Sequence, residues 1–94
     1  MTYVLVTITI EDLEKWKAGF REAGALRKSF GSKGVRAFTR AEHPNEIVIL
    51  GEYEDAEKAR QMFQSPEFRE ATKRAGLTAP PVVSFLEPAV ELPA

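Results

Sequence analysis

The sequence predicts an α+β sandwich: a four-stranded antiparallel sheet with helices on one face, in the order β-α-β-β-α-β. Three observations lead there. Tyr3 to Ile10 is rich in β-branched residues, with Val4, Val6, Ile8 and Ile10 on one side and Tyr3, Leu5, Thr7 and Thr9 on the other. Val35 to Tyr53 alternates through two strands about a turn, and each strand keeps one aliphatic face. Two stretches, Leu13 to Phe30 and Ala56 to Ala75, place apolar residues at three- and four-residue steps between acidic openings and glycine stops.

The elements follow in order. Strand 1 is apolar on both sides, so it is expected to be covered on both faces. Glu11-Asp12 opens the first helix, because carboxylates favour helix starts. Leu13, Trp16, Phe20, Ala23, Leu26 and Phe30 form a single core stripe, with Glu14, Lys15, Lys17, Arg21, Glu22 and Lys28 filling most of the opposite side. In this reading Trp16 is a core residue, and Arg27 and Lys28 form a solvated helix edge or a contact to the C-terminal tail. Gly31-Ser32-Lys33-Gly34 ends the helix and turns the chain into the hairpin.

The hairpin carries most of the information. With its turn at His43-Pro44-Asn45 and its centre on Pro44, Arg36 faces Glu52, Phe38 faces Leu50 and Arg40 faces Val48. A slip of one residue would exchange the two faces. Val35, Ala37, Ile47, Ile49 and Gly51 then suit the helices, whereas Arg36, Phe38, Arg40, Val48, Leu50 and Glu52 need another cover. Glu54-Asp55 opens a second helical region, and Ser65-Pro66-Glu67 restarts it, with Ser65 as N-cap and Pro66 at the first helical position. Gly76 terminates it. Ala79-Pro80-Pro81 forces an extended entry into a last strand, Val82 to Glu87, stopped by Pro88. Alternation leaves open whether Val83 and Phe85 or Ser84 and Leu86 join the outer face. The order is that of the ferredoxin-like, split-βαβ arrangement, in which strands 1 and 3 lie at the centre of the sheet.

A chain of 94 residues makes one domain, expected over 1–87, with 88–94 as a C-terminal tail. Net charge of −1 argues against a nucleic-acid partner, which requires clustered Lys and Arg. Cysteine is absent, which excludes disulfides, thiolate nucleophiles and Cys-based metal sites. With a single histidine and scattered carboxylates, no metal site is expected. No apolar run reaches the roughly 18 residues of a membrane span. No basic segment precedes an apolar one at Met1-Thr2-Tyr3, so the expected location is cytoplasmic.

The outer sheet face is the functional question. It gathers Tyr3, Leu5, Thr7, Phe38, Val48 and Leu50 with Arg36, Arg40 and Glu52, an apolar extent that a monomer does not leave wet. A two-fold axis packing the sheet against its own copy covers it, so the expected partner is a second copy of the chain. The expected site is a chamber between the two sheets, lined by Tyr3, Thr7, Arg36, Phe38, Arg40, Leu50 and Glu52. Arg36 would serve as anion or oxyanion donor and Glu52 as base, or the two would form a solvated cross-strand ion pair. His43, in the hairpin turn, would sit at the chamber entrance or simply in solvent. The ligand expected is a small aromatic or anionic molecule, and no cofactor is called for.

Several of these motifs resemble the dimeric α/β-barrel superfamily, and more narrowly its small antibiotic-biosynthesis-monooxygenase-like members. They are Asp12-x-x-x-Trp16-x-x-x-Phe20, Leu26-Arg27-Lys28, the Gly31…Gly34 turn, Pro44-Asn45-Glu46, Glu52-Tyr53 before Asp55-x-x-Lys58-Ala59, and Ser65-Pro66-Glu67 before Arg69-Glu70-Ala71. The resemblance spans roughly Tyr3 to Glu87 and rests on structural motifs. It implies a homodimer built as an α/β barrel, and cofactor-free monooxygenation or isomerisation among the possible activities. The Asn, Trp and His of the haem-degrading members are not matched: Thr7 occupies mid-strand 1, the only Trp is on the first helix and the only His in the turn. Haem degradation is therefore rejected. The competing reading is a non-enzymatic dimeric interaction or ligand-sequestering module, with the tail after Pro88 gripping a partner.

Overall fold

A computed structural model describes residues 1–94. The elements are β1 (Thr2–Thr9), α1 (Leu13–Glu22), α2 (Gly24–Ser29), β2 (Ser32–Arg40), β3 (His43–Tyr53), α3 (Ala56–Gln64), α4 (Pro66–Ala75) and β4 (Val82–Leu86). The four strands form one antiparallel sheet in the order β2-β3-β1-β4, so β1 and β3 are central, as the aliphatic content predicts. This is the expected ferredoxin-like α+β fold. Residues 87–94 follow β4 without secondary structure, and Val90 and Leu92 there are exposed.

Local chemistry accounts for the helix boundaries. Asp12 caps α1 by accepting from the Lys15 amide at 2.8 Å, and Asp55 caps α3 by accepting from Lys58 at 3.2 Å. Ser65 serves two helices. Its hydroxyl donates to the Met62 carbonyl at 2.7 Å, closing α3, and accepts from the Phe68 amide at 3.1 Å, opening α4 at Pro66. Gly76 ends α4 in the left-handed region (φ 79°). The first helical region is not continuous to Phe30: it breaks at Ala23 (φ −78°, ψ 1°), and α2 restarts at Gly24, a poor helix former.

The hairpin register also departs from expectation. Arg36 faces Leu50, Phe38 faces Val48 and Gly34 faces Glu52, each partner lying two residues earlier on β3 than the Pro44-centred hairpin requires. The turn is Ala41-Glu42, with Glu42 at φ 71°, and His43, Pro44 and Asn45 belong to β3. Arg40 pairs with His43, and an irregularity between Thr39 and Arg40 absorbs the extra β3 residues around Pro44, which has no N–H to give the ladder. Because the slip is two residues, each side chain keeps its expected face.

The core lies between sheet and helices. Val4, Val6, Ile8, Ile47, Ile49 and Tyr53 from the sheet meet Trp16, Ala59, Met62 and Ala75 from the helices. Gly19 on α1 lets α4 approach closely, since a Cβ there would stand 3.0 Å from Cβ of Ala75. The helices stop short of the hairpin's far end, so Ala37 and Thr39 are exposed although they point to the helix side. The alternation left open in the last strand is resolved by pairing. Val83 faces Val6 and Phe85 faces Val4, which puts both on the helix side and leaves Val82, Ser84 and Leu86 outside.

Candidate functional site

The expected outer-face residues do share one surface. Tyr3 lies between Glu52 and Leu86, Thr7 between Val48 and Val82, and Leu50 between Leu5 and Arg36. Phe38 is 48% exposed, and the Arg36 guanidinium sits 5.3 Å from the centroid of its ring. The cross-strand pair expected of Arg36 and Glu52 does not form; the two-residue slip moves Arg36 opposite an aliphatic side chain. Arg40 meets Glu46 instead, at 3.7 Å, and Glu46 was not among the sequence candidates. His43 is exposed at the start of β3 rather than in the turn. In the chain this face is an open surface.

A partly open cavity lies on the other side of the sheet. It measures about 80 Å³ and opens between the helices and β1–β3, floored by Val4, Val6, Ile49 and Gly51 and walled by Trp16, Phe20, Leu26, Met62, Phe63 and Phe68. Trp16 stacks on Phe20 with centroids 4.7 Å apart, and Phe63 makes edge contacts with Tyr53, Phe68 and Phe85 at 6.4, 5.0 and 6.3 Å. Stacked and edge-on rings of this kind fix the wall geometry. Gly51 shapes the floor. A Cβ there would lie 2.9 Å from Cε1 of Tyr53, so the tyrosine ring crosses the strand only because residue 51 has no side chain.

Arg27 from α2 and Tyr53 from β3 bring polar groups into this lining. Arg27 on α2 is half-buried, its guanidinium carbon 4.0 Å from the centroid of Phe20, and no carboxylate lies within 4.0 Å to form an ion pair. Burial lowers its pKa from the ordinary arginine value, partly offset by Tyr53; the group remains a cation at neutral pH. Tyr53 on β3 is buried, and the contact of its hydroxyl is Met62 Sδ at 4.0 Å, a weak acceptor. Burial raises its pKa above the usual phenol value, and the charge of Arg27 opposes that rise. The cavity lining contains no Asp, Glu or His. Outside it, a shallower groove shares Gly19, Ala23, Leu26 and Ala71 with the cavity wall and carries Glu22, Glu67, Glu70 and Arg74.

Arg27 and Tyr53 were not sequence candidates, yet each had a signal. Arg27 extends the series Trp16, Phe20, Ala23 by one more helical step, and Tyr53 shares the face of Ile49 and Gly51.

No protein-family model matches the chain, and no curated protein matches it by sequence. Solved structures do. A Bordetella bronchiseptica protein, provisionally assigned as an antibiotic biosynthesis monooxygenase, superposes with a TM-score of 0.81 at 20% identity, covering 95% of this chain and 97% of that one. The chain shares their fold. SnoaB, a cofactor-independent oxygenase from Streptomyces nogalater, matches with a TM-score of 0.76 at 16% identity, over 99% of this chain and 96% of that one. A Caulobacter crescentus protein with the same provisional assignment gives 0.73 at 17% identity, over 96% and 90%. The fold shared with these structures therefore extends over nearly the whole chain, and no helix in it is long and apolar enough to cross a membrane.

Proposed function

We propose that the chain is a homodimeric protein that binds and sequesters a small molecule in the cavity between its helices and sheet. The observation that carries this reading is the cavity itself: an aromatic-walled space between the helices and the sheet. Association is supported by the outer sheet face, where Phe38, Val82 and Leu86 are 48%, 65% and 38% exposed on one surface. In this reading Tyr3, Thr7, Arg36, Phe38, Arg40, Leu50 and Glu52 belong to the dimer contact and to any chamber left between the sheets.

Of the activities the fold resemblance implies, isomerisation is the less supported. Proton abstraction needs a base poised near neutrality. The lining has neither carboxylate nor imidazole, and Tyr53 is shifted towards its protonated form. Binding accounts for the geometry without such a base.

Native mass spectrometry of freshly purified protein tests both halves, with a dimer mass and a co-purifying small molecule as the expected result. A monomer at micromolar concentration removes the association. A fluorescence spectrum of Trp16 unmoved by any small aromatic compound removes the cavity reading.

A further inference from the structure

Two of the polar groups that line the cavity, Arg27 and Tyr53, are weakly engaged donors. The half-buried Arg27 guanidinium has no carboxylate partner, and the buried Tyr53 hydroxyl donates only to the weak acceptor Met62 Sδ at 4.0 Å, so both gain from a stronger acceptor. The third polar side chain of the lining, Thr72, already donates to the Arg69 carbonyl at 2.8 Å. What completes such a set is an acceptor brought in by the ligand. A guanidinium presents parallel N–H groups that match two oxygens on one carbon, and a nearby phenol adds a further donor.

Resting on the reading of this cavity as a ligand site, we infer that its ligand is a small monocarboxylate, with one ring or a short branched chain, held by Arg27 and Tyr53. Size sets the upper limit. A closed apolar cavity of about 150 Å³ holds a benzene ring. A space of about 80 Å³ open at its mouth accepts a single ring that reaches into the entrance, whereas a fused polycycle requires the helices to part. Selection of the anion rests with Arg27 at the edge of the cavity and Tyr53 on its floor strand. Glu22, Glu67 and Glu70 of the outer groove oppose entry of negative charge, but they are exposed and screened over a Debye length of about 8 Å.

Trp16 is the only tryptophan and lines the cavity, so its fluorescence reports occupancy of the full-length protein. Benzoate, benzyl alcohol and anthracene carboxylate are the probes. Benzoate is expected to bind saturably and about tenfold or more tighter than benzyl alcohol, the strength of a charge-assisted pair. Anthracene carboxylate is expected to bind more weakly than benzoate. In Arg27→Met the benzoate-to-benzyl alcohol ratio is expected to fall to about one; the wild-type ratio decides the matter should that variant fail to fold. Benzyl alcohol binding as tightly as benzoate overturns the carboxylate inference while leaving the cavity a ligand site, as does a ratio that survives Arg27→Met. Tighter binding of the fused-ring acid overturns the size limit. Silence from all three probes overturns the cavity reading as well.

Discussion

The guanidinium of Arg27 lies over the ring of Phe20, 4.0 Å from its centroid, at the edge of an apolar cavity and without a carboxylate partner. A cation–π contact contributes about 0.5–2 kcal/mol, while desolvating an unpaired charge costs more than it returns. Arg27→Met keeps the apolar stem and removes the charge, so it should unfold at a denaturant midpoint equal to or above that of the wild type. Arg27→Ala also removes the stem that covers Phe20 and should lose roughly 1–2 kcal/mol. Urea unfolding of the two variants separates packing from charge, and a large loss in Arg27→Met would show that the charge itself holds the fold.

Gly51 and Tyr53 are coupled through space. Introducing Gly51→Ala places a Cβ 2.9 Å from Cε1 of Tyr53 and 3.3 Å from Cγ1 of Val35. Overpacking of this size costs about 1–3 kcal/mol, and the ring, being the movable part, swings into the cavity. The variant should have a lower melting temperature and a weaker Trp16 response to benzoate. Gly51→Ala with unaltered stability and binding would mean that the ring relaxes without cost.

The fold was largely legible because its signals are local. Ser65-Pro66 marked a helix restart from side-chain chemistry alone, and alternation assigned the sheet faces even though the register was two residues out, since parity survives an even slip. The register itself was not legible. Pro44 attracted the turn, but the chain turns at Ala41-Glu42, where a glutamate takes a positive φ that no residue type announced. The site was missed for a different reason. Arg27 sits beside Leu26 in sequence, where a charge on a helix points to a water-facing edge or a tail contact. Its place one helical step beyond Trp16, Phe20 and Ala23 was the only signal, and the structure shows the side chain turned over the Phe20 ring.

The buried phenol sets an alkaline limit. Tyr53 has a pKa raised in the folded state by burial, so the native protein holds its proton more tightly than the unfolded chain does. The unfolded state therefore binds fewer protons at alkaline pH, and stability falls as pH rises. That contribution is complete below the ordinary phenol value of about 10 and is lost as pH climbs through the raised folded value. Tyr53→Phe has no such proton to lose. Its urea midpoint should decline less steeply than that of the wild type above pH of about 10, and the difference in tyrosinate absorbance between the two should appear together with unfolding. Parallel declines would exclude Tyr53 as the cause.

Asn45 fastens the junction where β1 passes into α1. Its amide donates to the Ile10 carbonyl at 2.9 Å and the Glu11 carbonyl at 3.4 Å, while the Ile10 amide donates back to the Asn45 carbonyl at 2.9 Å. The same junction holds the end of α4: Glu11 donates its amide to the Gly76 carbonyl at 3.0 Å, Thr78 donates to the Thr9 carbonyl at 3.0 Å, and Ile10 bridges to Leu77. One side chain therefore stabilises the meeting point of a strand end, a helix start and a helix end. Asn45→Ala leaves the partly buried Ile10 carbonyl short of a donor and should cost about 1–3 kcal/mol. Asn45→Asp should cost more, because a carboxylate oxygen would replace the donor and face the carbonyls directly. Hydrogen exchange locates the effect. The amides of Ile10, Glu11 and Thr78 should lose protection in both variants, while those of α3, which touches none of these groups, keep theirs. Uniform loss along the chain would instead make Asn45 a contributor to global stability with no special hold on this corner.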